Sequence, residues 1–199
     1  MKLLAVALAL AYPVLMHAAV LYDLPVLRTI ALCGLIALIV VAPRPRRVGA
    51  WLLLAGLLAG VVALSRWEGA RYAAYLPPIV MHVLLLWVFG RTLLPGREAL
   101  VAAIGRGVHG SLTPQMASYS RGVTIMWTGC FAVLLLLSIV LPFVSAYAWS
   151  LCTNVLNYVF IASVLTLEFS FRRWRFPTHH HPGFFGYLRI VATSNVRGF

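Results

Sequence analysis

Six apolar runs dominate the chain and limit what it can fold into. They are Leu3–Tyr22, Val26–Ala42, Gly49–Ser65, Pro77–Leu94, Gly122–Ser145 and Trp149–Phe171. Each is near the ~20 residues with which a helix crosses a bilayer. In water such surfaces would have to be buried. The charged exterior needed to cover them is absent, because only 10% of the 199 residues are charged and 62% are hydrophobic. The expected fold is an all-α membrane protein of about six transmembrane helices. Pro77-Pro78 suits the first turn of the fourth, where proline's missing N–H is not used. Pro13 and Pro142 are expected to kink or end their helices. In the first run no cleavage point satisfies the small-residue rule, since His17 or Met16 occupies the −3 position, so it is read as a retained helix.

The charges orient the bundle. With six spans, one side holds 13 Lys and Arg residues: Lys2; Arg44, Arg46 and Arg47; Arg91, Arg97, Arg106 and Arg121; Arg172, Arg173, Arg175, Arg189 and Arg197. The other holds Arg28, Arg66 and Arg71. The bias predicts six spans with both termini in the cytoplasm. The net charge of +12 is therefore read as a topology and lipid-headgroup signal, with membrane lipids as partners and no nucleic acid. Cys33, Cys130 and Cys152 lie inside apolar runs without C-x-x-C spacing, as small packing residues do. No cofactor or metal is expected. Residues 1–177 are expected to form one transmembrane bundle and 178–199 a cytoplasmic interfacial tail. His179, His180 and His181 in that tail lack the carboxylate or H-E-x-x-H partner of a metal site.

The longest connection, Phe89 to Arg121, falls on the cytoplasmic side. Pro95-Gly96 turns the chain, and Arg97–Val108 places Leu100, Val101, Ile104 and Val108 on one side of a short interfacial helix between helices 4 and 5. Thr113-Pro114 has the form of an N-cap and first helical residue, from which a helix can run on into the fifth span. Arg91, Arg97, Arg106 and Arg121 make this connection a basic platform, able to dock an acidic partner or hold a phosphorylated or CoA-linked substrate. An ordinary interfacial elbow obeying the positive-inside rule has the same features.

Polar groups inside a bilayer are costly, and each is a candidate site. His17, His82, Asn154 and Asn157 fall at similar depth, roughly 6–12 Å below the outer boundary at ~1.5 Å per residue. They are expected either to form a polar pocket or to hydrogen-bond between helices. Glu168 is the only acidic residue within a span. Its alternatives are an ion pair with Arg172, four residues on, or a meeting with Arg91 or Arg121 from another helix.

The blocks "VFGRTLLPGREAL", "YSRGVTIMWT" and "WSLCTNVLNYVFIASVLTLEFSFRRWRFP" add a further indication. Together, over about Leu76 to Pro177, they resemble a family of small multi-pass bacterial membrane proteins from gene clusters for aryl polyene and xanthomonadin-type pigments. The resemblance implies an inner-membrane accessory role in making, lipid-attaching or moving an acyl-type pigment, with acyl carrier protein or fatty-acid-synthase-like enzymes as partners. Some members are labelled ketosynthase. That activity is not expected here, because a condensing enzyme needs a nucleophilic cysteine with histidine partners in a soluble fold. The alternatives are a small transporter or flippase for the acyl-lipid product, and a membrane acyltransferase with an unfamiliar site, since no G-x-S-x-G or H-E-x-x-H is present.

Overall fold

The computed structural model describes residues 2–41, 48–66, 69–109 and 111–177, and among these there are helices and no strands. In chain order they are α1 (Lys2–Leu21), α2 (Pro25–Val41), α3 (Val48–Ser65), α4 (Gly69–Ala73), α5 (Leu76–Arg91), α6 (Leu100–His109), α7 (Pro114–Val144), α8 (Ala146–Leu151), a π-helical turn (Cys152–Leu156) and α9 (Asn157–Arg175). Four stretches are long and apolar enough to cross a membrane: Val48–Ser65, Arg71–Arg91, Pro114–Val144 and Ala146–Arg175. Pro25–Val41 is a shorter apolar helix. The protein is an all-α membrane protein. The expected tail 178–199, with His179 to His181, and the basic loop Arg44–Arg47 lie outside the described residues.

The chain divides into two compact units, one of Met1–Val80 with Leu135–Tyr158, the other of Met81–Leu134 with Val159 onward. In the first unit α1 packs on α2, α2 on α3, and α1 also on α8 and the π turn. The buried centre is Met16, Ala31, Leu32, Val61, Ala74 and Trp149. Tyr75 meets the Trp149 ring edge-to-face at 4.6 Å. Small residues such as Ala31 and Ala74 let the backbones close up where lipid offers no hydrophobic drive for helices to associate. The outward faces are apolar: Val14, Val26 and Val48 are each about two-thirds or more exposed. Such surfaces match hydrocarbon and not water.

The α1–α2 link shows why the first two runs are separate helices. Leu24 N–H donates to Ala19 O at 2.9 Å and Asp23 N–H to Val20 O at 3.5 Å, while Asp23 adopts φ +48°. This is the Schellman arrangement, and a short polar side chain tolerates its left-handed residue better than a branched one. Pro25 follows as the first residue of α2. Pro13 does not end α1, which runs through it, whereas α7 stops two residues after Pro142. At the break Ser145 is extended and its Oγ accepts from Ala148 N–H at 3.3 Å, capping α8.

In the second unit, Val123, Trp127, Phe131 and Leu134 form one buried stripe of α7. Their steps of four, four and three keep them on a single face. Leu85, Leu86 and Phe89 of α5, Val101 of α6, and Ile161, Val164 and Leu165 of α9 pack against that stripe. Phe131 stacks on Trp127 at 5.5 Å and meets Phe89 edge-to-face at 5.1 Å. With 31 residues, α7 is about 46 Å long, more than the ~30 Å hydrocarbon layer. The excess is its N-terminal part, Pro114 to Arg121, which belongs to the connection between α5 and the apolar part of α7.

Candidate functional site

The connection from Phe89 to Arg121 is folded throughout the residues described. Leu94-Pro95-Gly96-Arg97 is a type II-like turn: Arg97 N–H donates to Leu94 O at 3.1 Å and Gly96 has φ +77°. Proline at its second position and glycine at its third are what that backbone demands. The short helix α6 starts at Leu100, three residues later than the periodicity suggested, because the turn consumes Arg97 and leaves Glu98 and Ala99 outside the helix. Its most buried residues are Leu100, Ala102 and Ala103, with Val101 and Ile104 half-buried. Of the apolar side expected from the periodicity, Leu100 is buried, and the two alanines beside it permit a close backbone approach.

Two threonines anchor that helix. Thr92 Oγ1 donates to Phe89 O at 2.7 Å and accepts from Leu100 N–H at 3.1 Å. Thr124 Oγ1 donates to Ser120 O at 2.8 Å and accepts from Val101 N–H at 3.3 Å. The first free N–H groups of α6 are therefore used by the protein itself. Thr113 caps α7 as its sequence suggested, accepting from Met116 N–H at 3.3 Å.

The four platform arginines have different roles. Arg91 and Arg97 line a cleft of about 460 Å3 together with Thr92 and Glu98. Arg106 reaches back to Glu98 in an ion pair. Arg121 donates to Leu93 O at 2.8 Å and fastens the elbow to α7. The Arg91 guanidinium lies 4.3 Å from the centre of the Trp87 ring, and its Nε is buried without a hydrogen-bond partner. The cation–π contact holds Arg91 in place without saturating its donors.

Glu168 is 7% exposed. Its Oε1 lies 3.4 Å from Arg172 Nε and accepts from Tyr119 Oη at 3.2 Å. The expected i, i+4 pair is present, and Tyr119, which sequence reasoning passed over, joins it. Phe171 and Phe176 flank the Tyr119 ring at 6.0 and 5.4 Å. The available signal was the early start of α7 at Thr113-Pro114, which puts Tyr119 on a helix and not in a loop.

The intramembrane polar residues of the first unit converge on Ser150, which is fully buried. His17 Nδ1 lies 3.1 Å from Ser150 Oγ, across 133 positions of sequence. Asn154 Nδ2 donates to Ser150 Oγ and to Thr153 Oγ1, both at 3.3 Å. With Asn154 donating to it, Ser150 can turn its own proton to His17. Thr153 Oγ1 also donates to Trp149 O at 2.8 Å. These side-chain bonds compete with the backbone ladder where the helix widens to its π turn. Such turns recur at functional sites. Asn157 sits one turn on, and its buried Oδ1 has no partner. His82 belongs to the second unit, where it is 2% exposed. Ser150 was the residue missed, although its i, i+4 spacing to Asn154 was legible.

Among the described residues, no three His, Cys, Asp or Glu side chains are grouped so as to hold a metal ion. No family model, characterised protein or solved structure matches the chain.

Proposed function

We propose that this membrane protein is an inner-membrane accessory of acyl-type pigment biosynthesis, of the aryl polyene or xanthomonadin kind. In this reading it holds carrier-protein enzymes or their acyl product at the cytoplasmic elbow. The observation that carries it is the elbow itself, a hydrogen-bonded scaffold that presents three guanidiniums, of Arg91, Arg97 and Arg106, around the single carboxylate of Glu98. A passive connector does not need Thr92, Thr124 and Arg121 to fix its backbone. An acidic carrier protein or an anionic acyl carrier group complements that surplus of positive charge. The three sequence blocks that resemble the pigment-cluster family include Arg91, Arg97, Tyr119, Arg121 and Glu168.

The accompanying topology is six spans with both termini cytoplasmic, the short α2 crossing with local thinning of the bilayer. A reporter fused after Phe199 is expected to read cytoplasmic and one inserted at Ala146 periplasmic. The opposite pair of results removes the elbow from the cytoplasm and with it this function.

The direct test is a gene deletion complemented by wild type or by Arg91→Ala/Arg97→Ala, with membranes fractionated and the pigment and acyl lipids measured by mass spectrometry. The double variant, at wild-type protein level, is expected to lose at least about 90% of the product, as when two charge-assisted contacts of about 1.5–3 kcal/mol each disappear. A second reading, a transporter of the acyl-lipid product, is favoured by the His17–Ser150–Asn154 chain beside the π turn. It predicts instead normal amounts of product stranded in the inner membrane when that chain is broken by His17→Ala.

A further inference from the structure

The elbow reading leaves open what chemical group the cleft receives. We infer that it is a phosphate group, bound between the guanidiniums of Arg91 and Arg97. Four observations lead there. The cleft, at about 460 Å3, is of a size that holds a small ligand or headgroup. Two of its four lining residues are arginines, whose planar donor forks match phosphate oxygens. Arg91 is held in place by the contact of its guanidinium with the Trp87 ring, at 4.3 Å from the ring centre, so its donor fork is ordered before an anion arrives. Among the described lining residues the one acid, Glu98, is paired with Arg106, so the two arginines there outnumber the carboxylate available to them.

The neighbouring donors do not compete for the role. The Thr92 hydroxyl is engaged on both sides, by Phe89 O and by Leu100 N–H. The N–H groups of Leu100 and Val101 at the start of α6 are likewise engaged. Binding therefore rests on the two side chains and not on a helix terminus. The same chemistry can come from two sources: the phosphate of a soluble acyl carrier such as a coenzyme A thioester, or the phosphate of an anionic lipid. The inference deepens the proposed docking role and rests on the elbow's being the working part of the protein.

The test uses the full-length protein in maltoside micelles, free of added lipid. Coenzyme A is titrated in one arm, followed by calorimetry and Trp fluorescence, which Trp87 reports through its contact with Arg91. In the other arm phosphatidylglycerol is added and its retention read by native mass spectrometry. One saturable phosphate ligand is expected, bound at least about tenfold more weakly by Arg97→Gln, whose exposed side chain can change without disturbing the fold. Glu98→Gln, which frees Arg106, is expected to bind more tightly than wild type. Saturation by coenzyme A identifies the soluble source, and retention of phosphatidylglycerol alone identifies the lipid source. Binding in neither arm, or binding that Arg97→Gln leaves unchanged, overturns the inference. Its failure is separable from that of the proposed function. Loss of product in the Arg91→Ala/Arg97→Ala strain without phosphate binding in vitro leaves the docking role standing. Phosphate binding with normal product leaves the cleft standing and removes the role.

Discussion

Replacing Trp149 with alanine is expected to destabilise the protein more than any other single aromatic truncation in the first unit. The ring is 1% exposed, sits among Met16, Ala31, Leu32, Val61 and Ala74, and takes the edge of Tyr75 at 4.6 Å. In a water-soluble core such a change costs about 3–5 kcal/mol. Lipid tails are as apolar as the ring, so most of the transfer contribution is lost in a bilayer. What remains is lost dispersion contact and an unfilled cavity, and the expected loss is about 2–3 kcal/mol. The readout is thermal unfolding in detergent followed by size-exclusion chromatography, where a fall of roughly 5–10 °C is expected for a chain of this length. Trp149→Phe separates packing from polarity. Trp149 Nε1 has no hydrogen-bond partner, so the phenylalanine variant gives up volume but no bond. It is expected to stay within about 1 kcal/mol of wild type. A phenylalanine variant as unstable as the alanine one is incompatible with a packing role and would assign the indole N–H a partner.

The second large effect is at Glu168. Its side chain is 4% exposed and that of Arg172 21%. Removing one member of a fully buried pair costs about 3–5 kcal/mol, because the other charge is left behind. Arg172 is less enclosed, lies near the end of α9 and can extend its head toward water, which lowers the figure to about 1–3 kcal/mol for Glu168→Ala. That variant also takes the acceptor from Tyr119 Oη, whereas Glu168→Gln keeps an acceptor there and gives up only the charge. Glutamine is thus expected to cost about half as much as alanine. A double-mutant cycle with Arg172→Ala, measured by unfolding in a mixed detergent, is expected to show coupling of about 1 kcal/mol. Additive effects would mean that the pair is incidental to the fold. A Glu168→Gln protein of normal stability that fails to restore product in the deletion strain would instead assign the carboxylate a direct part in function.

Much of the fold was legible because membrane helices are set by hydropathy one segment at a time. The six apolar runs reappear as helical segments with bounds shifted by a few residues at most ends. The exceptions are instructive. The fifth run begins at Gly122 by hydropathy alone, and it was the capping signal at Thr113-Pro114 that gave the observed start of α7 eight residues earlier. The sixth run, Trp149–Phe171, reads as one helix, but it begins inside the short α8 that Ser145 caps and passes through a π turn before α9. Average hydropathy does not register the side-chain bonds of Thr153 and Asn154 that accompany the widening.

For the candidate sites the line falls elsewhere. From the sequence alone came the residue types that are expensive in a bilayer or gathered in the basic connection between apolar runs: His17, His82, Asn154, Asn157, Glu168 and the elbow arginines. Cost and charge are properties of single residues and their position along a helix, so one dimension suffices. The partners were decided only in three dimensions. Ser150 joins His17 to Asn154, Tyr119 joins Glu168 and Arg172, and Arg106 takes up Glu98 while Arg91 and Arg97 are left at the cleft. A hydrogen bond acts over about 3 Å, and which atoms come that close depends on helix rotation and packing that no local pattern encodes.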